Sequence, residues 1–124
     1  MHMAFPIINI KATNIELTEE LTSLVEQKLA PLEKFLPENE TDIKCDVELE
    51  KVTEQQSGRI YRAEVNLFVK GHTYRAEATE DQMEKAVDSM RDEVKKEIRR
   101  SNRKRESLIK RGGRKIKEMM RFGE

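Results

Sequence analysis

Apolar and polar residues alternate with period two in four stretches of the chain and recur at three- and four-residue steps in two others. From Pro6 to Ala12, Ile8, Ile10 and Ala12 fall on one side and Ile7, Asn9 and Lys11 on the other, which predicts a short strand. Thr41 to Val52 alternates cleanly, with Ile43, Cys45, Val47 and Leu49 against Lys44, Asp46, Glu48 and Glu50, so one face is buried and one is wet. Tyr61, Ala63, Val65, Leu67 and Val69 then alternate with Arg62, Glu64, Asn66 and Lys70. Tyr74, Ala76 and Ala78 alternate with Arg75, Glu77 and Thr79. A polar loop from Thr53 to Gly58 and a tight turn at Gly71 and His72 join the last three strands into a meander.

Helical spacing begins after Thr18, an N-cap residue followed by Glu19 and Glu20, whose charges suit the positive end of a helix. Leu21, Leu24, Val25, Leu29, Leu32 and Leu36 form its apolar stripe, and the helix is expected to run to about Phe35. Pro31 should bend or loosen the last turns, and Pro37 with Glu38, Asn39 and Glu40 ends them. A longer helix starts near Asp81 and carries Met83, Ala86, Val87, Met90, Val94 and Ile98 on one stripe. Beyond Ile98 the stripe fades, so the helix is expected to continue as a solvated basic rod until Gly112 and Gly113 interrupt it, with Arg114 to Glu124 as a short basic tail. The order β-α-β-β-β-α defines an α+β fold, a two-layer sandwich of a four-stranded, largely antiparallel sheet with two helices on one face. Residues 1–106 form the domain and 107–124 the basic tail.

At 124 residues the chain is one domain's length, and 39% charged against 5% aromatic residues suits a thin layered fold without a large aromatic-lined pocket. No apolar run approaches membrane length and no apolar leader opens the chain, so it reads as cytoplasmic, with no membrane partner. The single cysteine, Cys45, falls at a core position and reads as structural.

Charge changes the picture more. The formal net charge is zero, yet residues 1–90 hold 10 Lys/Arg against 18 Asp/Glu, while residues 91–124 hold 14 against 6. Such a polarised molecule orients on a polyanion with its basic arm leading. At about 100° per residue, Arg91, Lys95, Lys96, Arg99 and Arg103 fall opposite the apolar seam of the second helix. From Arg99 to Arg105 the sequence has five cations, Arg99, Arg100, Arg103, Lys104 and Arg105, and no carboxylate. A solvated helix face normally mixes signs; charge left unpaired suits a phosphate backbone, where each neutralised phosphate releases counterion.

Catalytic chemistry finds little support. The two histidines are His2, in the leader, and His72, assigned to a turn; neither has a nucleophile at a recognisable spacing. Asp46, Glu48, Glu50, Glu64 and Glu77 share the outward strand face with Lys44, Arg62 and Arg75, as cross-strand surface pairs do, with no sign of a buried acid. Cys45 alone cannot ligate a metal, and Gly112 and Gly113 lack the strand and the GK[ST] of a phosphate loop. No enzyme activity, cofactor, metal or small-molecule substrate is therefore expected. An RNA recognition motif would need a strand after the second helix and exposed stacking aromatics, both missing here, and a double-stranded RNA domain begins with a helix rather than a strand.

The segment NIKATNIELTEEL, Asn9 to Leu21, resembles the opening of the ribosome hibernation factors. Met83, Ala86, Val87, Asp88, Met90, Val94, Lys96, Ile98 and Arg100 resemble the second-helix pattern of that family, once called sigma-54 modulation proteins. The family includes the short hibernation-promoting factor and the ribosome-associated inhibitor A, and the resemblance runs from about Ile8 to Arg105. It implies the β-α-β-β-β-α fold and binding to the small ribosomal subunit, its 16S-type rRNA and proteins, alone or within the 70S ribosome. Occupancy of the mRNA path and the A and P tRNA sites would inhibit translation during stress or stationary phase. By resemblance, Lys28, Lys34, Lys96, Arg100 and Arg103 contact RNA; Arg91, Lys95, Arg99 and Lys104 join them on the helical-wheel argument. The chain departs from the pattern at Pro31 and Glu93, where relatives often carry Lys, and at Glu84, where Tyr is frequent. A general RNA- or polyanion-binding adaptor stays open as the alternative.

Overall fold

In a computed structural model the structure describes residues 7–38, 40–55 and 57–122, with side chains through residue 110. His2, Pro6, Asn39 and Glu124, named above, lie outside these residues. The elements run β1 (Ile8–Thr13), α1 (Glu19–Leu29), a 3-10 helix (Ala30–Phe35), β2 (Ile43–Lys51), β3 (Tyr61–Val69), β4 (His72–Glu80) and α2 (Met83–Phe122). The strands form one sheet in the order β1-β2-β3-β4. β1 lies parallel to β2, Ile8 beside Cys45, because α1 intervenes and carries the chain back to the same end of the sheet. The other pairs are antiparallel, Ile43 opposite Val69 and Tyr61 opposite Glu80.

Period two dictates which side chains are covered. Cys45, Val47, Leu49, Ala63, Val65, Leu67, Val69, Tyr74 and Ala76 point to one face and are buried. Val25, Leu29 and Leu32 of the first helical segment and Ala86, Val87, Met90, Val94 and Ile98 of α2 close over them in a single cluster. Full burial of each large member is worth about 1.5–3 kcal/mol, which fixes both helices on that face.

Local signals explain the boundaries. The Thr18 hydroxyl accepts a hydrogen bond from the Leu21 N–H at 3.1 Å, capping α1. Pro31 lacks an N–H for the next α-helical bond, and the chain tightens into the 3-10 turn at Ala30 instead of merely bending. Between β3 and β4 the turn consists of Lys70 and Gly71, with φ of 50° and 85°. Two left-handed residues make the hairpin turn whose twist matches the strands. His72 is consequently not a turn residue: it opens β4 opposite Val69, its ring 4.3 Å from that of Tyr74. Gly112 and Gly113 do not interrupt α2, which continues to Phe122. Glycine costs a helix about 1 kcal/mol per residue but stops it only where the backbone must turn left-handed.

On the outer face of the sheet Glu48, Glu64 and Glu77 lie side by side on β2, β3 and β4, an arrangement of like charges that would be destabilising alone. Arg62 resolves it. Its guanidinium reaches Glu64 at 2.8 Å, Glu77 at 2.9 Å, Glu50 at 3.3 Å and Glu48 at 3.9 Å. Arg75 takes the second oxygen of Glu64. Glu64 is only 8% exposed, so this face does hold one buried acid, contrary to expectation, made tolerable by two arginines. The Arg62 pKa is driven up, chiefly by its hydrogen bond to Glu77, and the same bond holds the Glu77 carboxyl below its usual range.

Burial, reinforced by the nearby Asp46 carboxylate, pushes the Cys45 thiol from 9.0 up to about 12. A raised thiol pKa means that ionisation favours the unfolded chain, so stability is complete below about pH 9 and declines as pH rises toward 12. Cys45 is expected to ignore a thiol reagent at pH 8 while folded and to react at the free-thiol rate in denaturant. A folded-state rate within about tenfold of the denatured one would contradict its place in the core.

Candidate nucleic-acid interface

The 3-10 turn that Pro31 imposes swings Phe35 against α2, where the Asn102 side-chain amide donates to the Phe35 carbonyl at 3.1 Å. Around the half-buried ring stand three cations. The Lys34, Lys95 and Arg99 charged groups lie 5.2, 5.7 and 5.9 Å from its centroid. Each contact is worth about 0.5–1 kcal/mol at an exposed site. Lys95, Arg99 and Arg103 are spaced four apart and share one flank of α2, and Lys34 joins that flank from the other element. The ion pairs seen among the described residues of this region involve Lys28, Arg91, Lys96 and Arg100, and none involves Lys34, Lys95, Arg99, Arg103 or Lys104.

The remaining cations named from sequence are differently placed. Lys28 stands 2.9 Å from Asp88, an ion pair between α1 and α2 that is not aligned as a hydrogen bond, for that Asp88 oxygen is buried without a hydrogen-bond donor. Arg91 holds Asp92 at 2.9 Å and approaches Asp88 at 3.7 Å. Further round α2, Lys96 pairs with Glu93 at 3.3 Å and Arg100 with Glu97 at 2.9 Å. The run from Arg99 to Arg105 is thus not wholly unpaired: Arg100 reaches back one turn to a carboxylate outside that window. Exposed i,i+3 pairs contribute only about 0.3–0.5 kcal/mol, so Lys96 and Arg100 are neutralised rather than locked.

Sequence reasoning missed Phe35, treating it only as a helix end, and Asn102. The available signal was slight: one of six aromatic residues in the chain, next to Lys34 at the loosened end of a helix. Cys45 is buried and apart from these cations, and among the described residues no group of three or more His, Cys, Asp or Glu could hold a metal ion. No described helix is long and apolar enough to cross a membrane.

Fold and surface define a class: a two-layer α+β domain with a cluster of cations, in no ion pair among the described residues, where the 3-10 helix meets α2. The chain belongs to the family described as sigma 54 modulation protein / S30EA ribosomal protein, whose model matches residues 8–106. It is 30% identical over 108 residues to the ribosome hibernation promotion factor of Lactococcus lactis subsp. cremoris (strain MG1363). That match takes in 84% of this chain and 56% of the relative, so the chain spans little more than half the relative's length. Two solved structures share the fold. The Thermus thermophilus Protein Y N-terminal domain superposes with a TM-score of 0.62 at 23% identity, over 74% of this chain and 93% of that one. A ribosomal subunit interface protein from Coxiella burnetii gives 0.60 at 19%, over 77% and 96%.

Proposed function

We propose that the chain binds the small ribosomal subunit, free or within the 70S ribosome, and inhibits translation by occupying the mRNA path and the A and P tRNA sites, as a ribosome hibernation factor. The observation that carries it is the flank of Lys34, Lys95, Arg99 and Arg103, in no ion pair among the described residues, on a chain of this family, with Lys104 about a quarter turn further round α2. Ribosomal RNA supplies phosphates at close spacing, and neutralising several of them releases enough counterion to drive association. Lys28, Arg91, Lys96 and Arg100 exchange weak intramolecular partners for phosphates at the edge of that surface. Residues 1–106 act as the binding domain, in a cytoplasmic setting. Residues 107–124, with six Lys/Arg against two Glu, add basic length at the distal end of α2.

The test is in vitro translation with added protein. Inhibition should saturate near one protein per ribosome and be relieved by excess tRNA, which competes for the same sites. Undiminished translation at tenfold excess of protein, or inhibition that tRNA leaves untouched while unrelated duplex RNA relieves it, would point instead to a general polyanion-binding adaptor.

A further inference from the structure

Phe35 stands where cations from two separate elements converge, and nothing in the local sequence of α2 alone would assemble them. We infer that Phe35 is a positioning residue that gathers Lys34, Lys95 and Arg99 into one clamp for a nucleic-acid backbone phosphate in the notch between the 3-10 helix and α2. The inference rests on the ribosome-binding function proposed above and says how one part of that surface works.

Three observations carry it. The charged groups of all three residues lie within 5.9 Å of one ring centroid, where the negative face of the aromatic attracts cations that would otherwise repel one another and spread. None of the three takes part in an ion pair seen among the described residues, whereas Arg91, Lys96 and Arg100 on the same helix all do. Ordinary surface pairing has therefore been withheld where the ring is. The Phe35 backbone is fixed by the Asn102 amide on its carbonyl and by the turn that ends at Leu36, and its side chain is half-buried. A pre-assembled set of cations spares the cost of ordering three long side chains at binding. With cations over it, the ring is not available to stack on a base.

The test uses the full chain and purified small ribosomal subunits over a potassium chloride series. Phe35→Leu keeps an apolar side chain but removes the negative face; its affinity should fall about fivefold to tenfold, the equivalent of two lost cation contacts. Its log–log salt slope should drop by about one, the signature of one phosphate no longer neutralised. Phe35→Trp should restore both. On top of Lys95→Gln with Arg99→Gln, Phe35→Leu should cost less than about twofold more, because the groups it positions are gone. In NMR spectra of the free protein the Lys95 and Arg99 methylene protons should be displaced by the ring current, and this displacement should vanish in Phe35→Leu and return in Phe35→Trp. A folded Phe35→Leu with wild-type affinity, beside a weakened Lys95→Gln with Arg99→Gln, would overturn the clamp and leave ribosome binding standing. Wild-type affinity in the Lys34, Lys95 and Arg99→Gln triple variant would bring down both. If Phe35→Leu does not fold, the wild-type spectrum decides: methylene resonances at random-coil positions overturn the clamp.

Discussion

Replacing Lys34, Lys95, Arg99 and Arg103 together by Glu is expected to weaken binding to small ribosomal subunits by roughly a thousandfold or more at low salt. Four unpaired cations lost from one flank remove up to four phosphate contacts, and four carboxylates placed there repel the backbone that remains. The fold should survive. Lys34, Arg99 and Arg103 are exposed and Lys95 only half-buried, while the apolar seam of α2 at Ala86, Val87, Met90, Val94 and Ile98 is untouched. Three of the four give up a ring contact worth about 0.5–1 kcal/mol each, so a thermal melt should fall by roughly 10 °C and stay cooperative. The same reversal at Lys96 and Arg100 should cost less, since both already face a carboxylate one turn back. Equal losses from the two sets would mean that unpaired charge is not what selects the binding flank.

Arg62→Met is expected to destabilise the domain by about 2–3 kcal/mol, lowering the melting temperature by roughly 10–20 °C, with ribosome affinity of the folded protein unchanged. Arg62 is 18% exposed in its side chain and Glu64 10%, so the pair between them is largely withdrawn from water. Taking away the cation leaves that acid facing Glu48 and Glu77 on either side. The figure is set below the cost of breaking a fully buried pair because Glu77 is about half exposed and screened by solvent. The deficit should also depend on pH with a definite sign. Glu77 is held below its usual range by Arg62, so the pairing stabilises the fold above the ordinary carboxylate value and fades as pH falls through the folded one. Wild type and variant should therefore converge on acidification in denaturant titrations; a gap that widened would contradict Arg62's role.

The sheet was legible because each strand sees core on one side and water on the other, so that Ile43 to Leu49 and Tyr61 to Val69 alternate by residue class. The 3-10 turn was foreshadowed by Pro31, whose missing N–H is a local property. The failures lie where the outcome depends on something outside the window read. His72 was assigned to a turn that needs only Lys70 and Gly71. The glycine pair was overvalued as a breaker, since helical glycine is a modest cost rather than a stop. At the candidate site the cations themselves could be placed on the helical wheel, but which are paired could not be read from charge runs alone: Arg100 looks free until Glu97 is considered. Phe35 escaped entirely, because its meeting with Lys95 and Arg99 is tertiary and no periodicity in either segment encodes it.

The most direct measurement is co-sedimentation of the full chain with purified small ribosomal subunits as potassium chloride is raised. The cation cluster predicts pelleting at about 50 mM salt that declines with a log–log slope of roughly 3, about 0.9 for each of three neutralised phosphates (one in the Lys34, Lys95 and Arg99 clamp, one each at Arg103 and Lys104), and a slope near 2 for the Lys34, Lys95 and Arg99→Gln variant. Failure to pellet at low salt, or binding that ignores salt, would contradict a ribosome-binding function carried by these residues.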